Sequence, residues 1–182
     1  MLKGLAMNNT DWSYDVISKL FHWILAILLI GLVALGWYMM SIEDQPNSGW
    51  YFGIHKSFGL IAATLVLLRL IWRIGHKPAP LPDSVPHWQA KISRAIHFLL
   101  YICMIVMPLT GFLGSSFGKY GVAFFGWPLP KWTNQNHDIS EQFFEIHETF
   151  AWFLVVLVVL HILAALKHLF INKDGVFKRM WF

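Results

Sequence analysis

Long runs without a formal charge divide this chain. Leu20 to Ile42 is 23 residues with no Asp, Glu, Lys or Arg, and Ala95 to Gly118 is 24. Thr149 to Leu166 adds 18, with its helix expected to start earlier, near Ser140. A further apolar stretch, Trp50 to Trp72, carries Lys56 near its start and Arg69 and Arg73 around its end. About 20 apolar residues in a helix cross the ~30 Å hydrocarbon core of a bilayer, and soluble core helices seldom need so many. The pattern predicts four transmembrane helices, over about 18–41, 51–74, 88–115 and 140–170, in one membrane domain covering 1–182. The expected fold class is all-α, an integral membrane four-helix bundle.

The breaks between runs are equally readable. His76-Lys77-Pro78-Ala79-Pro80-Leu81-Pro82 cannot continue a helix, because proline lacks an N–H and clashes with the preceding turn, so it reads as a short, stiff link. Pro108, Gly111 and Gly114 predict a kink or close packing near the end of the third helix. Gly118, Gly121, Gly126, Pro128 and Pro130 then predict an irregular outer loop. The first run exceeds the ~7–15-residue apolar core of a signal peptide and has no A-x-A-like cleavage site, so it is expected to be retained.

Charge placement orients the bundle. The N-terminus, second connection and C-terminus hold eleven basic residues, Lys3, Lys19, Arg69, Arg73, Lys77, Lys91, Arg94, Lys167, Lys173, Lys178 and Arg179. The first and third connections hold three, Lys56, Lys119 and Lys131. That asymmetry predicts both termini in the cytoplasm. The net charge of +4 is therefore a topology signal, and no nucleic-acid partner is expected. Trp37, Tyr38, Trp50, Tyr51, Trp72, Trp88 and Trp127 fall near run ends, where amphipathic rings favour the headgroup region. With 57% hydrophobic and 13% charged residues, disorder and an ordinary soluble fold are excluded. The single cysteine, Cys103, excludes an intrachain disulfide, a Cys-ligated iron–sulfur cluster and covalent c-type haem, and reads as a small buried apolar residue.

Against this background the histidines stand out, since ionisable groups within membrane spans are costly and face the bundle interior. One such histidine alone is as well explained by a hydrogen bond between helices. The joint pattern says more. His147 and His161 on the fourth helix differ by about 40° around the axis and ~21 Å along it, so both can face one interior near opposite membrane surfaces. By depth, His22 on the first helix pairs with His161, and His55 on the second with His147. Two imidazole pairs at two depths offer two axial positions each to two flat cofactors, and neutral imidazole suits haem iron. Trp23, Phe58, Phe150 and Trp152 can line an apolar macrocycle, or simply face lipid and core.

Competing assignments remain at this point. His168, seven residues past His161 and about 20° around the helix, is an alternative inner ligand that lies nearer the headgroups than His22. The depth of His97 fits neither pair well, so a hydrogen bond to a propionate, a quinone or another helix suits it better. His76, His87 and His137 fall in connections and read as solvated. His147-Glu148 begins a zinc-protease H-E-x-x-H, but Ala151 stands where the second histidine is needed. A metal or proton transporter would gather several carboxylates or histidines at one depth, and the middles of the runs have no Asp or Glu. Arg69 and Arg73 read as snorkelling topology cations that can also pair with haem propionates.

These residues carry a resemblance. Leu20-Phe21-His22-Trp23, Ile54-His55-Lys56-Ser57-Phe58-Gly59, Arg69-Leu70-Ile71-Trp72-Arg73, Pro108-Leu109-Thr110-Gly111, Ile146-His147-Glu148-Thr149 and Leu160-His161 together resemble the bacterial cytochrome b561 family, from about Ser18 to Arg179. The resemblance implies a multi-pass protein of the bacterial inner membrane holding two haem b groups on His22, His55, His147 and His161. It also implies electron transfer between a donor and membrane quinone, with superoxide as donor and ubiquinone as acceptor in one member type. The alternative is an electron-carrier anchor subunit for a redox partner protein, a hydrogenase or dehydrogenase. Tyr14, His97 and Ser115 have groups suited to a quinone contact. A cationic outer mouth would steer superoxide, yet the outer segments set three Lys against Glu43, Asp44, Asp138, Glu141, Glu145 and Glu148, a balance of −3.

Overall fold

The computed structural model describes residues 12–82 and 84–182. Lys3, counted above among the inner charges, lies outside the described residues. Helices α1 (Val16–Ser41), α2 (Ser48–Gly75), α3 (His87–Phe117) and α4 (His137–Lys167) are each long and apolar enough to cross a membrane. A membrane-spanning four-helix bundle is the result, with side chains such as Ile27, Ile71, Phe98 and Leu163 turned outward. That outer apolar surface suits lipid, where helices satisfy every backbone polar group internally.

Local chemistry sets the helix ends. Asp15 caps α1, accepting from Ser18 N at 2.9 Å and Ser18 Oγ at 2.7 Å. Asn136 Oδ1 accepts from Ile139 N at 3.1 Å, so α4 starts at His137, before the expected Ser140, with Asp138 favourably placed against the helix dipole. α4 also runs on past Lys167 through a π-turn, His168–Asn172, that ends on Lys173 at φ 52°. The Pro-rich link leads into α3, which starts after Pro86.

Neighbouring helices pack α1 on α2, α2 on α3 and α3 on α4. The last contact is close: a Cβ on Gly114 would lie 2.9 Å from the Phe144 ring, and Ser140 Oγ donates to the Gly114 carbonyl at 2.8 Å. The packed core of Cys103, Leu154 and Leu157, with Val33, Leu100, Met107 and Phe150 against it, sits along the α3–α4 seam. Leu154 is midway in sequence between His147 and His161, so this core separates the two histidine levels.

The outer loop is more regular than expected. Ala123–Phe124 and Trp127–Pro128 form a two-stranded hairpin, β1 and β2, turning on Phe125 (φ 46°) and Gly126 (φ 88°). Positive φ at both central residues marks a type I′ turn, which glycine accepts and phenylalanine resists. Phe125 is held there by donating its N–H to the buried Ser57 Oγ at 2.8 Å and by packing edge-on against Phe58. Lys56 Nζ donates to the Gly121 carbonyl at 3.0 Å, tying the loop to α2 beside His55.

At the end of the bundle that holds both described ends of the chain, called inner here after the expectation from charge, the C-terminal segment folds back. Arg179, counted above as a topology charge, is 4% exposed, with Nη1 donating to the carbonyls of Ala79 (3.3 Å) and Pro80 (2.9 Å). Its own carbonyl accepts from Tyr14 N at 2.9 Å, and the next carbonyl, of Met180, accepts from Trp23 Nε1 at 3.0 Å. The hook thereby joins the N-terminal segment, α1 and the α2–α3 link.

Candidate functional site

Ring pairs from different helices meet at two levels. His22 on α1 and His161 on α4 lie 6.1 Å apart between ring centres, and His55 on α2 and His147 on α4 lie 6.3 Å apart. All four rings are half-buried. The geometry can be tested against an iron held by two imidazoles. A metal–imidazole nitrogen bond of about 2.0–2.1 Å places the metal roughly 3.1 Å from each ring centre, which asks for about 6.2 Å between centres. Both pairs meet it.

The outer pair is built with care. His147 Nδ1–H donates to the Met107 carbonyl at 2.9 Å, with Thr110 Oγ1 3.2 Å away, so Nε2 keeps a free lone pair. Glycine at 111 lets the ring come this close to α3 without displacement: a Cβ there would lie 3.1 Å from Cε1 and 3.2 Å from Nδ1 of His147, tight enough to push the ring back by a few tenths of an ångström. Opposite, the His55 ring lies against Gly36 of α1, where a Cβ would stand 3.5 Å from Cε1 and 3.9 Å from Nδ1, with the Leu32 backbone as the partner of the buried Nδ1. Gly111 and Gly114 thus meet the expectation of close packing near the end of α3, with His147 and Phe144 as the side chains they admit, while Gly36 carries no such signal in the sequence.

At the inner level Arg69 Nη2 lies 3.3 Å from His22 Nδ1. Arg73, one turn on, donates instead to Tyr14 OH at 3.4 Å and lies 5.5 Å from that ring, which also occupies the hydroxyl considered above for a quinone. Neither guanidinium forms an ion pair with a carboxylate among the described residues.

The remaining histidines separate clearly. His97 corrects the depth reading, since its ring centre is 5.2 Å from that of His161, at the inner level. Its Nδ1–H donates to the Ser93 carbonyl at 2.7 Å. The reason lies in helix lengths: His97 is ten residues, about 15 Å, into α3, and α4 continues to Asn172, eleven residues past His161. His168 turns away from His22 and bonds Asp174 Oδ2. His76 stacks on Trp72 at 3.8 Å, His137 is 81% exposed beside Glu141, and His87 is exposed. Trp23 touches His22 edge-on at 5.4 Å, Phe150 packs on the core, and Trp152 pairs with Trp37 at 5.2 Å. Ser115 is buried.

A membrane four-helix bundle with histidine rings from different helices brought within 6.1 and 6.3 Å at two levels is the architecture of a class, the membrane cytochromes b. The family model described as prokaryotic cytochrome b561 matches residues 13–182, and this chain belongs to that family, whose cofactor is b-type haem and whose work is electron transfer in the membrane. It is 35% identical to cytochrome b561 homolog 2 of Escherichia coli (strain K12), over 97% of this chain and 95% of that protein. Similarity extends at 23% identity to "Probable superoxide oxidase CybB" of Yersinia pestis, over 92% and 94% of the two chains. It also extends at 23% to "Probable Ni/Fe-hydrogenase B-type cytochrome subunit" of Cupriavidus necator (strain ATCC 17699), over 94% and 85%.

Proposed function

We propose that the chain, as one membrane domain over 1–182, binds two haem b groups and passes electrons between a donor on the outer side and membrane quinone. The observation that carries this is the pair of ring separations, 6.1 and 6.3 Å, at two levels of one interior. His22 with His161 would hold the inner group and His55 with His147 the outer one. The chemistry that haem supplies when bound is one-electron transfer at iron. The protein orients the outer pair through Met107 and Gly111, and keeps water away with its apolar core. Arg69 and Arg73 offer two cations to the propionates, a geometry guanidinium suits. The eleven-to-three basic asymmetry supports both termini in the cytoplasm of a bacterial inner membrane.

For the donor, the relative named a superoxide oxidase suggests superoxide, with ubiquinone as acceptor. Two superoxide anions would each give up one electron to leave O2, and one quinone would take those two electrons and two protons to become quinol. The outer charge balance of −3 gives no steering help. Stopped-flow mixing of the purified, haem-loaded protein with superoxide, followed by ubiquinone, is expected to show haem reduction and then reoxidation. Superoxide that leaves the haem oxidised while quinol reduces it would overturn the direction. A second reading, an electron-carrier subunit, is favoured by the hydrogenase cytochrome relatives, and co-purification of a hydrogenase or dehydrogenase under mild detergent would establish it.

The paired cations give a separate prediction. Loss of a positive charge beside the inner pair favours ferric iron, so Arg69→Gln in a His55→Ala background, which would isolate the inner haem, should lower its midpoint potential. The expected shift is roughly 30–60 mV, a three- to tenfold change in the one-electron equilibrium. Potentiometric titration measures it, and an unchanged potential would remove Arg69 from the inner site.

A further inference from the structure

The C-terminal hook borders a half-open cavity of about 500 Å³ that the electron-transfer site does not use. Its walls come from Ser84 of the α2–α3 link, from the π-turn and from the hook, and include His168, Lys173, Asp174 and Lys178. The backbone is bent to make it, with Lys173 at φ 52° and Gly175 at φ 79°. Asp174 is committed inward: Oδ2 takes the His168 hydrogen bond and Oδ1 accepts from Val176 N at 3.1 Å. Burial pushes its carboxyl up, but the bonds from His168 and Val176 outweigh this and hold it below the usual carboxylate range. Against this one carboxylate stand Lys173 and Lys178, both exposed and neither in an ion pair among the described residues, which leaves the cavity cationic.

Its depth identifies the occupant. The uncharged run Thr149–Leu166 is 18 residues, about 27 Å of helix, close to the ~30 Å hydrocarbon core. His168 and the hook follow at once, which places the cavity in the headgroup layer. Beside it Phe170 and Ile171 are 67% and 74% exposed, an apolar surface directed away from the bundle. Cationic pockets at helix ends on the inner face are where anionic lipid headgroups bind. We propose that this cavity binds the phosphate headgroup of an anionic phospholipid, with Lys173 and Lys178 as its charge partners, the Ser84 hydroxyl as a donor, and an acyl chain lying over Phe170 and Ile171. A lipid held there braces the hook, and through Arg179 and Met180 it braces the inner ends of α1 and the α2–α3 link. The proposal rests on α4 crossing the membrane and is independent of which residues hold haem.

Native mass spectrometry of the full-length, haem-loaded protein in detergent, titrated with phosphatidylglycerol or phosphatidylcholine, tests it. Phosphatidylglycerol should be retained as a discrete adduct and phosphatidylcholine should not. Lys173→Ala with Lys178→Ala should weaken phosphatidylglycerol binding roughly thirtyfold at about 1 kcal/mol per lysine, with the haem absorption spectrum unchanged. Lys119→Ala with Lys131→Ala, which removes the same charge from the outer loop, should leave binding as it was. Equal retention of both lipids by the wild-type protein, or equal losses in the two double variants, would overturn the site. Binding of inorganic phosphate that displaces the lipid at equal concentration would identify a free-phosphate pocket and overturn the lipid assignment.

Discussion

Replacing His161 with alanine is expected to halve the haem content, from two to one per chain by pyridine haemochrome assay, while the outer haem keeps its low-spin spectrum. The two levels make this prediction specific. His161 faces His22 at 6.1 Å, whereas His147 belongs to a separate pair on the other side of the Cys103–Leu154–Leu157 core. A haem bound through one remaining imidazole loses an axial bond and is expected to dissociate during purification. His22→Ala should therefore resemble His161→Ala, and His55→Ala should resemble His147→Ala. His97→Ala is the informative control. Its ring centre lies 5.2 Å from that of His161, about 1 Å short of the spacing that two imidazoles on one iron require, so both haems should remain. Retention of both haems in all four paired-histidine variants would refute the ligand set. Loss of the inner haem in His97→Ala would make His97 the ligand in place of His22.

The contrast between His22 and His97 shows what the sequence could and could not reveal. Four charge-free or nearly charge-free runs are legible because lipid tolerates few alternatives, and the fold followed from where those runs stop. Depth along one helix is also legible, since His147 and His161 share the same axis. Depth across helices was partly legible too: the expected helix ends at 88 and 170 put His97 and His161 nine residues each from the same end of the bundle, and the observed helices, starting at His87 and continuing to Asn172, set their rings 5.2 Å apart. Arg179 was unreadable for another reason. A cation near a chain end has the same sequence signature whether it meets solvent or, as here, the carbonyls of Ala79 and Pro80 a hundred residues away. Lys56 behaves alike, its ammonium spent on the Gly121 carbonyl of a loop whose hairpin depends on Phe125 accepting a positive φ.

Gly111→Val should cost most or all of the outer haem without touching either of its ligands. The side chain would start from a Cβ 3.1 Å from Cε1 and 3.2 Å from Nδ1 of His147, and its two methyl groups would extend into the ring's place. His147 must then swing away from α3, which breaks the bond to the Met107 carbonyl that holds Nδ1 protonated and aims Nε2 across the bundle. Relaxation by moving α4 is blocked close by, since Gly114 already packs against Phe144 and receives the Ser140 hydroxyl. Gly36→Ala provides the comparison. There a Cβ would stand 3.5 Å from Cε1 of His55, an ordinary van der Waals contact, so both haems should be retained. The inner haem should survive in both variants and serve as the internal measure of folding. The expected haem content is near one per chain for Gly111→Val and two for Gly36→Ala, with the missing species titrating at the same potential as that lost from His147→Ala. If Gly111→Val instead retains two haems with unchanged potentials, close approach of His147 to α3 is not what positions the outer ligand.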